Sequence, residues 1–169
     1  MAIYYFGFPV LLLAAVFDTT IMTLLRFWGG TPNLVLIVVV SWALIAELEE
    51  ALPWAVMGGV FRDLLSVAPT GSSSLAFIVI VIVIDRFFPK LDWRNLVVPP
   101  LVVIGATIFF DLVLLSILVL MGWPLPRPSA VAYVIIPGVF ENLLIIPFVF
   151  RTISGVNHFL RPPRASLLD

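Results

Sequence analysis

The chain has no cysteine and a single histidine, His158. Disulfides, thiolate metal sites and cysteine nucleophiles are therefore excluded, and the paired histidines of zinc-protease motifs are missing. Charge is scarce too: Asp, Glu, Lys and Arg make up 11% of the residues and nearly cancel, to a formal −1. That balance leaves no basic face for nucleic acid, and there is no glycine-rich phosphate loop of the Walker type. The opening run "MAIYYFGFPVLLLAAVF" lacks the positive n-region of a cleaved signal and reads as a retained first span. Neither a metal nor a cofactor is expected.

What the chain does have is apolar surface. Hydrophobic types account for 62% of its 169 residues and the mean hydropathy is +1.20, against about 45–50% apolar residues in soluble domains. This is the composition of an all-α membrane protein. Its length suits a single polytopic domain, with no stretch left over for a separate soluble core. Apolar runs bounded by charges or turn signals predict six spans, at about 5–25, 34–48, 51–65, 72–88, 96–122 and 130–150, with 151–169 as a short cytoplasmic tail. Spans two to four fall short of the roughly 20 residues of a full crossing, so flanking polar groups, thinning of the bilayer or burial against neighbours must complete them.

Orientation follows from lysine and arginine in short loops. Arg86, Lys90, Arg94, Arg151, Arg161 and Arg164 share one side, leaving Arg26, Arg62 and Arg127 of the nine basic residues towards the other. Both termini are thus predicted to be cytoplasmic, in a plasma (inner) membrane. Trp28 and Trp123 would then mark the outer boundary, and Trp54 and Trp93 the inner one. The connection "AELEEAL" brings no positive charge to the cytoplasmic side, but acidic residues weigh little in this rule.

Ionisable groups in the spans are the next signal, since each costs about 2.5–3.5 kcal/mol at the bilayer centre. Asp18, Arg62, Asp111 and Glu141, with Asn142, form a candidate polar cavity in the outer half of the bundle; Asp63 lies close to Arg62 in sequence. Three or four carboxyls facing one arginine cannot all stay ionised in low dielectric, so at least one is expected to carry a proton. Two readings stand: interhelical hydrogen bonds, worth about 0.6 kcal/mol each on average, or a ligand site. Pro137 and Gly138 precede Glu141 and Asn142, which predicts either a broken helix lining a cavity or a kink that serves packing.

The stretch "FRDLLSVAPTGSSS", residues 61–74, reads as a corner between two spans. Arg62 and Asp63 point about 100° apart on a helix, so each needs its own partner. Asp63 can accept hydrogen bonds from amides of the following turn. Pro69 stops the helix, Gly71 can take positive φ, and Ser72 or Ser73 can cap the next helix. Gly58 and Gly59, one turn earlier, allow close approach of another helix. The run "LAFIVIVIVI", residues 75–84, is expected to face lipid or partner spans.

With these residues in view, "GGVFRDLLSVAPTGSSSLAF" resembles the MreD family, small multi-pass proteins of the bacterial rod-shape system. Gly59, Asp63, Leu64, Ser66, Pro69 and Gly71 match the family's structural corner, and "TPNLVLIVVVSWAL" and "FENLLIIPFVF" resemble its second and last spans. Arg62 beside the aspartate and the acidic "ELEE" depart from the pattern. The resemblance implies a non-enzymatic scaffold of the cell-elongation complex that organises peptidoglycan synthesis with MreC, and through it with RodA, a class B penicillin-binding protein and MreB. It also implies a fold similar to the substrate-binding subunits of energy-coupling-factor transporters. Two other readings stay open. One is a vitamin-binding subunit of such a transporter, although the alanine docking pattern of those subunits is absent from the first span. The other is an intramembrane aspartyl peptidase using Asp63 and Asp111 as an acid pair, although that family's asparagine-rich motifs are missing.

Overall fold

The computed structural model describes residues 2–20, 30–66, 69–88, 90 and 97–160, with side chains from Gly7 to His158. Among these residues lie six helices: α1 Ala2–Thr20, α2 Leu34–Ile45, α3 Leu48–Leu64, α4 Ser72–Phe87, α5 Val98–Leu120 and α6 Pro128–Leu160. Two of them, α5 and α6 over Pro128–His158, are long and apolar enough to cross a membrane.

The sequence of α2, LVLIVVVSWALI, is apolar on every side, and a helix without a polar face must be buried all round. Every residue from Val35 to Leu44 is buried, and α2 alone packs against all five other helices. Those five form an open ring in the order α1, α3, α4, α5, α6; among the described residues α1 and α6 do not touch. Its 12 residues span about 18 Å at 1.5 Å per residue, well short of the roughly 30 Å hydrocarbon thickness. A helix of that length would not cross such a layer by itself.

Glycines set the closest approaches. A Cβ on Gly59 of α3 would overlap the Ser74 backbone of α4, and one on Gly58 would press on Val35, Val39 and Leu11. On the other side of α2, Gly30 lies against Pro137 and Gly138 of α6. The end of α5 is set by Gly122 at φ 92°, where the amides of Gly122 and Trp123 donate to the carbonyls of Val119 and Leu118. This is a Schellman closure that reverses the chain towards α6.

Several details differ from the sequence expectation. Helix α3 starts at Leu48 rather than residue 51, because Glu49 and Glu50 occupy its first turn, where the helix dipole favours acids. Helix α2 ends at Ile45 rather than residue 48, so the two-residue link shifts to Ala46 and Glu47. Helix α6 continues through Pro137 and Pro147 without a break, and runs past Arg151 to Leu160 instead of ending at residue 150. Ile153 and Ser154 stay buried there while Arg151 faces outward, so the packed face outlasts the first charge. Trp54 is no boundary residue: it is fully buried and stacked on Trp42, with ring centroids 4.4 Å apart. The run 75–84 is amphipathic in packing, with Leu75, Val79, Ile82 and Val83 exposed and Ala76, Phe77, Ile80, Val81 and Ile84 buried. Trp123 is exposed. The end of the first span beyond Thr20, with Arg26 and Trp28, lies outside the described residues, as do Trp93, Arg94, Arg161 and Arg164.

Gly59→Ala is expected to destabilise the protein in detergent by about 1–3 kcal/mol, the usual cost of overpacking. Gly105→Ala is the control: nothing lies within 4 Å of the added methyl, and thermal unfolding should be unchanged. Equal melting temperatures for the two variants would contradict the close α3–α4 contact.

Candidate functional site

A helix leaves its first amides without intrahelical acceptors, and buried ones must be satisfied by other groups. The start of α2 is buried, and its acceptors come from three parts of the chain. Asp18, near the end of the described part of α1, accepts from the amides of Leu34 (2.7 Å) and Val35 (3.2 Å). Asn33 accepts from Leu36 N at 3.0 Å as a conventional N-cap. Asn142 of α6 accepts from Asn33 N at 2.8 Å through Oδ1, and its Nδ2 donates to Thr107 Oγ1 of α5 at 2.9 Å. The first turn of α2 is thus tied to α1, α5 and α6.

The start of α4 is held the same way. Asp63, in the last turn of α3 and buried, accepts from Gly71 N at 2.7 Å and from Ser73 N at 3.2 and 3.3 Å. Gly71, at φ 96°, supplies the left-handed turn that aims these amides back at the carboxylate. Neither Ser72 nor Ser73 performs the side-chain capping expected of them, because the carboxylate occupies that place as a charged, stronger acceptor. Ser72 Oγ donates instead to Pro69 O at 2.6 Å, and Ser74 Oγ to Val56 O at 3.2 Å. Of the other corner residues, Leu64 is exposed, Ser66 N donates to Asp63 O at 3.3 Å, and Gly59 provides the contact with Ser74.

Arg62 ties the capped start of α4 to α5. Its Nη1 donates to Ser73 Oγ at 3.1 Å and its guanidinium lies 4.5 Å from the Phe110 ring centroid, a cation–π contact beside α5. Its charge acts on Asp18, Asp111 and Asp63, though none lies within ion-pair distance. The lone ion pair between described residues is Lys90–Asp85, at the opposite end of α4.

The residues expected to form one cavity therefore divide. Asp18 and Asn142 hold α2; Asp63 and Arg62 hold α4; Glu141 is buried on α6 beside Asn142. Asp111 is different: it accepts no hydrogen bond among the described residues and borders a cavity between α5 and α6. Asn33, Thr107 and Phe110, which were not singled out from sequence, complete the network with Ser73, which had been expected only as a cap. Asn33 had a readable signal, a capping residue directly before an apolar run. Thr107, a hydroxyl one turn before Asp111 in an apolar helix, had a weaker one.

The side chains of such a site bind backbone amides. Fold and site together define a helical membrane protein whose buried polar groups secure helix ends. The chain belongs to the MreD family: the profile of rod shape-determining protein MreD matches residues 1–153. The family carries a role in rod-shape determination and places the chain among shape-determining structural proteins. No characterised protein and no solved structure matches the chain.

Asp63→Ala should cost about 1–3 kcal/mol for each buried amide left unpaired, read as a lower melting temperature in detergent. Asp63→Asn keeps one carbonyl acceptor and should fall between alanine and wild type. Asp111→Asn, which breaks no described hydrogen bond, should stay within about 0.5 kcal/mol of wild type. Similar losses at positions 63 and 111 would contradict this division of roles.

Proposed function

We propose that the chain is a non-enzymatic membrane scaffold of the bacterial cell-elongation complex, acting with MreC to organise peptidoglycan synthesis. RodA, a class B penicillin-binding protein and MreB are the further members of that assembly. In this reading all six helices are inserted in the plasma membrane, both termini are cytoplasmic, and the fold is of the kind seen in energy-coupling-factor substrate-binding subunits. Short helices such as α2 complete their spans through burial against longer neighbours.

The observation that carries the reading is what the buried carboxylates do. Asp18 and Asp63 each accept backbone amides through both oxygens, which supports architecture over chemistry. A peptidase pair would need Asp63 to share a proton with a second carboxyl; here it is engaged by the α4 N-terminus. The family match over residues 1–153 supports the cell-shape context.

The test is affinity purification of the tagged protein from native membranes in mild detergent, with mass spectrometry of proteins and small molecules. MreC, together with RodA or a penicillin-binding protein, is the expected yield. Transport ATPase subunits or a bound vitamin in place of MreC would overturn the scaffold reading.

A further inference from the structure

We propose that the seam between the C-terminal half of α5 and the N-terminal part of α6 is the docking groove for a transmembrane helix of another protein, with Asp111 receiving a lysine or arginine carried by that helix. The inference rests on the scaffold reading only in taking the occupant to be a protein.

Three observations carry it. The first is the shape of the seam. A cavity of about 300 Å³ separates the two helices, lined by Leu114 and Leu118 of α5 and by Val131, Val134 and Ile135 of α6. These positions recur at three- and four-residue spacing, so the walls present helical ridges with a space between them. The second is coverage. No described residue of 112–120 or 128–137 is buried, although both helices are closely packed further along.

The third observation is Asp111 itself, near the middle of α5 at the closed end of this groove. It has no hydrogen-bond donor and no ion pair among the described residues, and Arg62, already engaged by Ser73 and Phe110, reaches it only at longer range. Hydrocarbon supplies no donor to a carboxyl group, so an acyl chain would fill the apolar walls and leave the acid unsatisfied. A basic side chain on an apolar helix meets both requirements. A second copy of this chain fits less well. Apart from Arg62, the described basic residues are Arg86, Lys90, Arg127 and Arg151, which lie in loops or towards helix ends away from the depth of Asp111.

The test is site-specific photo-cross-linking of the full-length chain in native membranes, with benzoylphenylalanine at Leu115 or Val134, and at Val79 on the α4 side as reference. The expected adduct at 115 and 134 is a peptide from a membrane span of another protein, with a lysine or arginine within two turns of the linked residue. Asp111→Leu should reduce that adduct by about tenfold or more, as loss of one partner of a buried charge pair does. Asp111→Glu should retain it, which separates loss of charge from loss of fold. Asp111→Lys should recover it when the partner's basic residue is changed to Asp. Adducts only with lipid, only with a second copy, or with a helix lacking a basic residue overturn the inference, as does an adduct indifferent to Asp111→Leu. Each of these can occur while MreC still co-purifies, so this inference and the scaffold reading fail separately.

Discussion

A helix that starts inside a membrane protein cannot leave its first amides to water, and the placement of α2 makes this constraint govern the whole bundle. Away from water, with neither packed apolar side chains nor hydrocarbon offering acceptors, an unsatisfied amide costs several kcal/mol. The acceptors for Asn33, Leu34, Val35 and Leu36 come from Asn142, Asp18 and Asn33 itself. Because Asp18 is fixed on α1 and Asn142 on α6, each bond also sets the height of a neighbouring helix against α2. Thr107 extends the same chain of bonds to α5. A slide of α1, α5 or α6 by one turn, about 5.4 Å, would break at least one of these bonds. The register of the bundle is therefore fixed by hydrogen bonds at one end of its central helix.

The α3–α4 corner applies the same solution to a second helix start and couples it to the first. Asp63 binds the amides of Gly71 and Ser73, and Gly59 lets the two helices approach until Ser74 lies against its Cα. The carboxylate sits favourably at the positive end of the α4 dipole, which outweighs its position at the negative end of α3 because only the α4 amides are within hydrogen-bond distance. Arg62 compensates the local excess of acid without pairing closely with any one carboxylate. Its contact with Phe110 brings α5 into the corner, so both capped ends share α5 as a wall.

Much of this was readable from sequence where the interaction is local. Six helices follow from apolar runs and their stops. Asp63 facing the turn that ends at Gly71 and Ser73 spans no more than ten positions, short enough to argue from corner geometry. The α2 start was not readable in the same way: Asn33 and Asn142 are 109 positions apart, and nothing in either segment names the other. Trp54 misled because a tryptophan near a helix end is compatible with a membrane boundary and with a core stack, and only the position of Trp42 decides. The early start of α3 was obscured by reading Glu49 and Glu50 as a polar break, when acids also suit a first helical turn. The unbroken course of α6 through Pro137 and Pro147 was not legible from a local proline rule, since proline is tolerated inside membrane helices and the packing of Gly30 on Pro137 is a contact between distant parts of the chain.

The distribution of burial completes the physical picture. The shortest helix is wholly enclosed, whereas α5 and α6, the longest, are only 28% buried over their most apolar windows. In water that order would be unstable, since Leu112, Leu120, Val134 and Ile136 would stand exposed on long helices. In lipid it is unremarkable, because acyl chains are as apolar as leucine and contribute little net drive to bring helices together. Apolar burial alone would then leave the relative heights and rotations of six helices poorly determined. Directional bonds to helix ends and glycine contacts that admit one approach distance provide what lipid cannot. This is why the described buried polar residues of a chain that is 62% hydrophobic gather mainly around the starts of α2 and α4. A fold fixed at those points can leave long apolar faces uncovered without losing its shape.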